Sequence, residues 1–186
     1  MAQFREDLAY VRRIVEDSRA AMRIDMLPLL VWGGLTVIGV TLAYAFDSVD
    51  SPWLWAVLVG VAWLYTARRA SSGRAEARLF AHRVLGTTWF AVLTSMTLIG
   101  FVGAFSGVLP TQAITPVLAS LFGVGYLASA ILIDRRALAW LAASWWVGSV
   151  ALFFLPGGLR LLVFGLLVAA LLMVPALLMH RGTRSR

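Results

Sequence analysis

Residues 134–179 read DRRALAWLAASWWVGSVALFFLPGGLRLLVFGLLVAALLMVPALLM. They hold two apolar runs, separated only by the Pro-Gly-Gly connection at 156–158. Each run is about long enough to cross a bilayer as a helix rising about 1.5 Å per residue. Because so short a connection forces neighbouring helices to run antiparallel, the stretch predicts a transmembrane helical hairpin.

Four more apolar runs precede this hairpin, and none alternates apolar and polar residues as the strands of a membrane barrel do. Lipid cannot satisfy open backbone groups, so each run is expected to be helical. Only 13% of the 186 residues are charged, against roughly 25% in soluble domains. The predicted fold is all-α: a polytopic membrane bundle of six transmembrane helices in three antiparallel hairpins. The predicted spans are 27–46, 52–67, 84–105, 114–133, 137–155 and 159–179, within a transmembrane domain at 27–180.

The basic residues, all Arg, lie almost entirely on one side of these spans. Every one except Arg160 falls before the first span, in the connections 68–83 and 134–136, or after the sixth span. The positive-inside rule therefore places both termini, including the tail 181–186, in the cytoplasm. The net charge of +7 then indicates contact with membrane lipids, anionic headgroups included. Nucleic acid is not expected as a partner, because that would need the bases gathered on one soluble face.

The first apolar run ends in Ala43-Tyr44-Ala45, a pattern that resembles a signal-peptide cleavage site. The leading region of a signal peptide is short and basic, whereas the 26 residues before this run carry five acids. The run is therefore expected to be retained as a span. Arg without Lys, alongside abundant Ala, is typical of a GC-rich bacterial genome, so the expected location is a bacterial inner (plasma) membrane.

Residues 1–26 are predicted to form an amphipathic cytoplasmic helix, because their apolar side chains recur every three to four positions. Two interpretations stay open for this stripe. It lies on the membrane surface or against the bundle, or it docks a cytoplasmic protein or a second copy of the chain through a short coiled-coil seam. The candidate interaction face comprises Phe4, Leu8, Val11, Arg12, Val15 and Arg19.

Groups that carry catalysis are sparse in this chain. No charged residue lies in the middle of a predicted span, and ion-coupled carriers, proton pumps and voltage sensors need such residues. Cys is absent, and the two histidines, His82 and His180, fall at cytoplasmic span ends. They could ligate a haem only if spans three and six were neighbours. No complete catalytic or metal-binding set is found, so neither an enzyme nor a cofactor or metal site is predicted.

Hydroxyl groups are the main polar chemistry inside the spans. Thr87, Thr94 and Ser95 of the third span either bond to neighbouring helices or line a polar cavity. Tyr126 is expected to anchor at the membrane interface, and Pro175 to kink the sixth span. The leading hypothesis is a non-enzymatic protein that acts through protein or lipid interaction at its basic cytoplasmic face. The alternative is a small-solute channel or transporter lined by the hydroxyls of span three.

The run EDLAYVRR at 6–13, followed by Val31-Trp32-Gly33-Gly34, resembles small bacterial six-span membrane proteins of unknown function that share a charged N-terminal helix. The chain is also loosely similar to the HdeD-like short-repeat membrane proteins, built of two-span units rich in Trp and Gly. Equal spacing of Trp32, Trp89 and Trp146 agrees with such repeats. This second resemblance implies a stress-associated or regulatory membrane role without a known reaction. Neither resemblance supplies site residues.

Overall fold

The structure, a computed structural model, describes residues 27–46, 51–72 and 80–177. Within these ranges the chain forms six helices and no strand. The N-terminal helix predicted for 1–26, with its candidate interaction face, and the tail 181–186 lie outside the described residues. The helices are α1 (Leu27–Ala45), α2 (Pro52–Ser72), α3 (Phe80–Ser106), α4 (Thr111–Ile133), α5 (Arg136–Phe153) and α6 (Gly157–Leu177), the last containing a π-helical segment at Val168–Met173.

Five of these six helices are long and apolar enough to cross a membrane, and α2 is the exception. The 21 residues of α2 include Trp53, Trp55 and Trp63 and a pair of arginines at 68–69, which lower its mean hydropathy. The helix runs past its predicted end at 67, and the long Arg side chains there are compatible with an interfacial position. The architecture is therefore that of a helical, multi-pass membrane protein.

The turn between α4 and α5 is the tightest connection in the bundle. Asp134 ends α4 in the left-handed conformation, with φ 53°, a region that Asp tolerates better than most residues do. The N–H of Arg135 donates to the carbonyl of Ala130 at 3.1 Å, which satisfies one of the last carbonyls of the helix. The chain reverses at once, and α4 and α5 form the most extensively packed helix pair.

The main core lies between α4, α5 and α6. Trp145 of α5 has no exposed surface and stacks on Phe122 of α4 with ring centroids 4.6 Å apart. Glycine makes room for a second indole, since a Cβ at Gly123 would overlap the ring of Trp146. The buried residues of this core are Ala119, Phe122, Tyr126, Ala130, Leu138, Ala142, Trp145, Leu152, Phe164, Val168 and Leu172.

The first three helices pack less tightly. α1 contacts α6 through a small buried cluster of Val40, Ala43 and Leu161, and it also lies against α2. By contrast, α2 touches α3 at few positions. α3 is held mainly by α4 on its other side. The loose α2–α3 boundary leaves space inside the bundle.

Candidate functional site

A chamber of about 750 Å³ occupies this space, walled by α1, α2, α3, α4 and α6. Its lining is predominantly apolar, with a few hydroxyl, amide and guanidinium groups. Sites for small molecules usually have volumes of about 300–1,000 Å³ and a similar balance of apolar walls and few polar groups. In size and character the chamber is therefore suited to hold a small, largely apolar molecule.

The polar groups of the chamber concentrate at one end of the bundle. The starts of three helices line it there: Ser51 and Pro52 at α2, Thr111 and Gln112 at α4, and Gly157 at α6. This is the end that carries the α1–α2, α3–α4 and α5–α6 connections. We call it the chamber mouth.

From this mouth the chamber reaches towards the middle of the bundle. Its wall on α4 runs from Thr111 to Phe122, which corresponds to about 16 Å along a helix. That depth is roughly half of the 30 Å hydrocarbon core of a bilayer. Trp32 and Ala62 line the chamber from α1 and α2. On α1 the lining reaches Trp32, about 20 Å along the helix from its end at Ala45.

Two indole–hydroxyl hydrogen bonds join the loosely packed helices α1, α2 and α3. Trp32 Nε1 donates to Thr66 Oγ1 at 3.1 Å, joining α1 to α2, and Trp63 Nε1 donates to Thr97 Oγ1 at 3.0 Å, joining α2 to α3. Each threonine hydroxyl donates in turn to the carbonyl four residues earlier, at 2.8 Å. Trp32 and Trp63 also meet edge to face with centroids 5.5 Å apart. Directional bonds therefore connect helices that share little packed surface.

A third bond of the same kind joins α3 to α4, but in tighter surroundings. Trp89 Nε1 donates to Ser129 Oγ at 3.0 Å, and Ser129 donates to the carbonyl of Gly125 at 2.7 Å. A Cβ added at Gly125 would lie 3.2 Å from the ring of Trp89. Here the indole is both bonded and closely packed, which agrees with the more extensive α3–α4 contact.

Arg160 is the one charged side chain on the chamber wall within the described residues, and only 7% of it is exposed. Its Nε donates to the carbonyl of Leu152 at 2.9 Å, and its Nη2 donates to the carbonyl of Leu155. Leu152 lies in the last turn of α5 and Leu155 lies just after the helix, where the helix dipole favours a cation. In the sequence, Arg160 stands out only as the exception to the charge asymmetry. A lone Arg three residues inside an apolar helix was the signal of a buried charge.

Two further polar groups lie on the α4 wall of the chamber. The Oγ1 of Thr115 is buried and has no hydrogen-bond partner among the described residues. Pro116 has no N–H, so the carbonyl of Gln112 lacks its usual helical donor. Since buried polar groups are normally paired, the Thr115 hydroxyl leaves hydrogen-bonding capacity on a wall that is otherwise largely apolar.

The three hydroxyls predicted as cavity-lining lie on other parts of α3. The α3 residues on the chamber wall are Met96, Thr97, Gly100 and Phe101. Thr87 is exposed and Ser95 is half-buried. The Oγ1 of Thr94 is buried without a partner among the described residues. The hydroxyl that α3 contributes to the chamber is therefore that of Thr97.

Tyr126 does not anchor at a membrane interface as the sequence analysis expected, since it is only 5% exposed. Its hydroxyl donates to the carbonyl of Leu171 at 3.1 Å. Pro175, four residues after Leu171, has no N–H to give to that carbonyl in an α-helical pattern. Tyr126 supplies a donor at this irregular point, beside the π-helical segment Val168–Met173.

The remaining sequence candidates lie elsewhere. The interaction face Phe4, Leu8, Val11, Arg12, Val15 and Arg19 is outside the described residues, and so is His180. Within the ranges 27–46, 51–72 and 80–177, no group of His, Cys, Asp or Glu could hold a metal ion.

The comparisons with known proteins do not extend these observations. No protein-family model, curated protein or solved structure matches the chain.

Proposed function

We propose that this chain is a six-span protein of a bacterial plasma membrane that binds an apolar or amphiphilic molecule inside its bundle. The observation that carries the proposal is the 750 Å³ chamber with its predominantly apolar lining. The chamber extends about 16 Å along α4 and about 20 Å along α1 from the mouth, which is close to the length of a chain from one leaflet. This depth also favours binding over conduction, since a conducting path would have to cross both leaflets.

Chamber occupancy can be tested at Gly100 on the chamber wall. A Cβ at Gly100 meets nothing within 4 Å, so the Leu side chain of Gly100→Leu would project into the chamber. Gly60 of α2 is a matched control, because it is also unobstructed but exposed and absent from the wall. We expect hexadecanol, titrated into the protein in non-ionic detergent, to bind Gly100→Leu at least about tenfold more weakly than wild type. Equal weakening in Gly60→Leu, or none in Gly100→Leu, would contradict the proposal.

The six-span topology can be tested directly because the chain contains no Cys. Single cysteines at Ser48, Ser72, Val108 and Ser185 would sample successive sides of the membrane. We expect a membrane-impermeant maleimide to label Ser48→Cys and Val108→Cys in intact cells, and the other two only after permeabilisation. Labelling of Ser48→Cys and Ser72→Cys from the same side would show that α2 does not span.

The basic face is a second candidate site, with protein or lipid interaction as its role. It is favoured by the position of Arg69, at the end of α2, and of Arg135 and Arg136, at the α4–α5 turn, at the bundle end opposite the chamber mouth. Deleting residues 1–24 should then abolish recruitment of a cytoplasmic partner while the bundle still inserts. Unchanged function and unchanged partner capture in the deletion would exclude the N-terminal helix from this role.

A further inference from the structure

We propose that Arg160 binds the acidic headgroup of the molecule whose apolar chain occupies the chamber, so that the protein selects anionic over neutral amphiphiles. This inference rests on the proposed function and adds its ligand class. The headgroup is a phosphate, phosphonate, sulfonate or carboxylate group, and the ligand is a single-chain or two-chain amphiphile. The head lies at the chamber mouth and the chain points towards the middle of the membrane.

The first support is the incomplete pairing of the guanidinium. Among the described residues, only the carbonyls of Leu152 and Leu155 accept hydrogen bonds from Arg160, through Nε and Nη2. A guanidinium carries five N–H donors in a planar fork that suits the oxygens of a phosphate or carboxylate. The side chain is 93% buried and lines the chamber, because its exposed fraction is 7%. The Arg160 guanidinium therefore has N–H donors left that could bind a ligand in the chamber.

The second support is the sign of the surrounding charge. Asp134 is the only carboxylate within residues 27–46, 51–72 and 80–177, and it sits at the opposite end of the bundle. The starts of α2, α4 and α6 all line the chamber mouth. Helix N-termini carry partial positive charge, which favours an anion. The ends of α1, α3 and α5 lie at the same end of the bundle and carry the opposite partial charge, so the positive charge that remains for an anion there is that of Arg160.

The third support is the arrangement of polar and apolar groups along the chamber. Arg160 lies about 5 Å along the helix from Gly157 at the mouth. The buried, unpartnered hydroxyl of Thr115 lies on the facing α4 wall. Farther in, Leu118, Phe122 and Phe164 form an apolar wall. A polar region near the mouth with an apolar region beyond it matches the build of an amphiphile.

A structural role accounts for only part of the guanidinium. Capping the end of α5 uses its Nε and Nη2, and the helix dipole there favours its positive charge. A guanidinium inside a membrane bundle is unfavourable unless it is paired or solvated. An anionic headgroup offsets that cost and also uses the donors that the two carbonyls leave over.

The experiment compares probes that share one chain and differ in headgroup charge. Hexadecyl phosphate, hexadecanol and hexadecyltrimethylammonium are titrated into the full-length protein in non-ionic detergent, with binding measured by calorimetry and stoichiometry by native mass spectrometry. One charge-assisted contact to a buried group predicts that hexadecyl phosphate binds roughly 10- to 100-fold more tightly than hexadecanol. Hexadecyltrimethylammonium should bind most weakly. Equal affinity for the three probes would overturn the headgroup proposal and leave chamber binding intact.

The variants separate headgroup recognition from capping. Arg160→Gln should lose the preference for phosphate while still binding hexadecanol, whereas Arg160→Lys should keep part of it. Arg135→Gln is the matched control, because it removes one exposed positive charge from the opposite end. Gly100→Leu should weaken all three probes together. If Arg160→Gln lowers stability but preserves the wild-type preference, Arg160 is only a cap of α5 and the proposal fails.

Two acids outside the described residues, Asp47 and Asp50, precede the chamber-mouth residue Ser51 in the sequence. If wild type shows no anionic preference and Asp47→Asn or Asp50→Asn creates one, the guanidinium is paired internally and the proposal is overturned. If wild type binds the anionic probe more tightly than the neutral one, competition experiments identify the source of the natural ligand. Displacement of hexadecyl phosphate by phosphatidylglycerol assigns a membrane lipid, and displacement by hexadecanoate alone assigns a free anionic amphiphile.

Discussion

Aromatic residues have different structural roles in the two halves of the bundle. In the α4–α6 half, Trp145 stacks on Phe122 and is completely buried in a continuous core. In the α1–α3 half, Trp32 and Trp63 reach across helix boundaries and donate their N–H groups to hydroxyls. One half therefore fills its interior with aromatic rings, and the other uses them to connect helices around a cavity.

The lipid environment explains why a filled core and a hydrogen-bonded cavity can occur in the same bundle. Hydrocarbon chains are as apolar as Leu, so helices in a membrane associate through close packing and interhelical hydrogen bonds. Glycine on α4 allows close packing, because Gly123 leaves space for the ring of Trp146. Where packed contact is sparse, as between α2 and α3, an indole–hydroxyl bond maintains the association without filling the interior. A cavity can persist there because the helices are held at a few directional points.

The largest expected difference between the halves comes from Trp145→Ala. Removing a fully buried Trp should lower the free energy of unfolding by about 3–5 kcal/mol, because the lost contacts leave a cavity in a close-packed core. Trp32→Ala, on the chamber wall, should cost clearly less, since part of its surface already faces empty space. Unfolding in mixed micelles, followed by far-ultraviolet circular dichroism, measures both. Equal losses would break the distinction between a filled half and a hollow half.

An intermediate difference is expected from adding a single methyl group to each half. Gly123→Ala places a Cβ against the ring of Trp146, and such overpacking should destabilise the protein by about 1–3 kcal/mol. Gly100→Ala, facing open space in the chamber, should be neutral or stabilising, because Ala favours a helix more than Gly does. Thermal unfolding in the same detergent compares the two. Similar melting temperatures would show that α4 adjusts around the added group.

The smallest difference concerns two buried tyrosine hydroxyls. Tyr126→Phe should cost about 0.6 kcal/mol, and at most about 1.7, because it removes one hydrogen bond inside the membrane. Tyr65→Phe should be neutral or stabilising, since the Tyr65 hydroxyl is buried without a partner among the described residues. Both substitutions remove one oxygen, so each is the control for the other in equilibrium unfolding. Destabilisation by Tyr65→Phe alone would mean that the hydroxyl of Tyr65, and not that of Tyr126, makes the stabilising hydrogen bond.

Long apolar runs and short connections were enough to predict most of the architecture. The expected spans match the six helices to within a few residues, except that α2 continues to Ser72. The Pro-Gly-Gly at 156–158 and the Asp-Arg-Arg at 134–136 marked real reversals of the chain. The length and hydropathy of each run can be read from the sequence, because neither depends on contacts with distant residues. Whether α2 crosses the membrane stays a prediction, because its Trp and Arg residues weaken that same signal.

The interior of the bundle was harder to predict, because helix rotation depends on non-local packing. In a soluble helix the apolar stripe identifies the buried face, but here the lipid-facing side is as apolar as the core. Thr94 was therefore predicted to line a cavity and Thr97 was not, whereas the neighbouring helices place Thr97 on the chamber wall. Tyr126 was assigned to an interface for the same reason, although it packs inside.

The bond from Tyr126 to the carbonyl of Leu171 has a consequence for motion. It joins α4 to the irregular part of α6, where Val168–Met173 is π-helical and Pro175 follows. Sliding one helix along the other, a common way for bundles to rearrange, would break this bond and expose a polar group to hydrocarbon. Movement that admits a molecule to the chamber is therefore expected at α2, whose contacts with α3 are few, while α4, α5 and α6 act as the fixed frame.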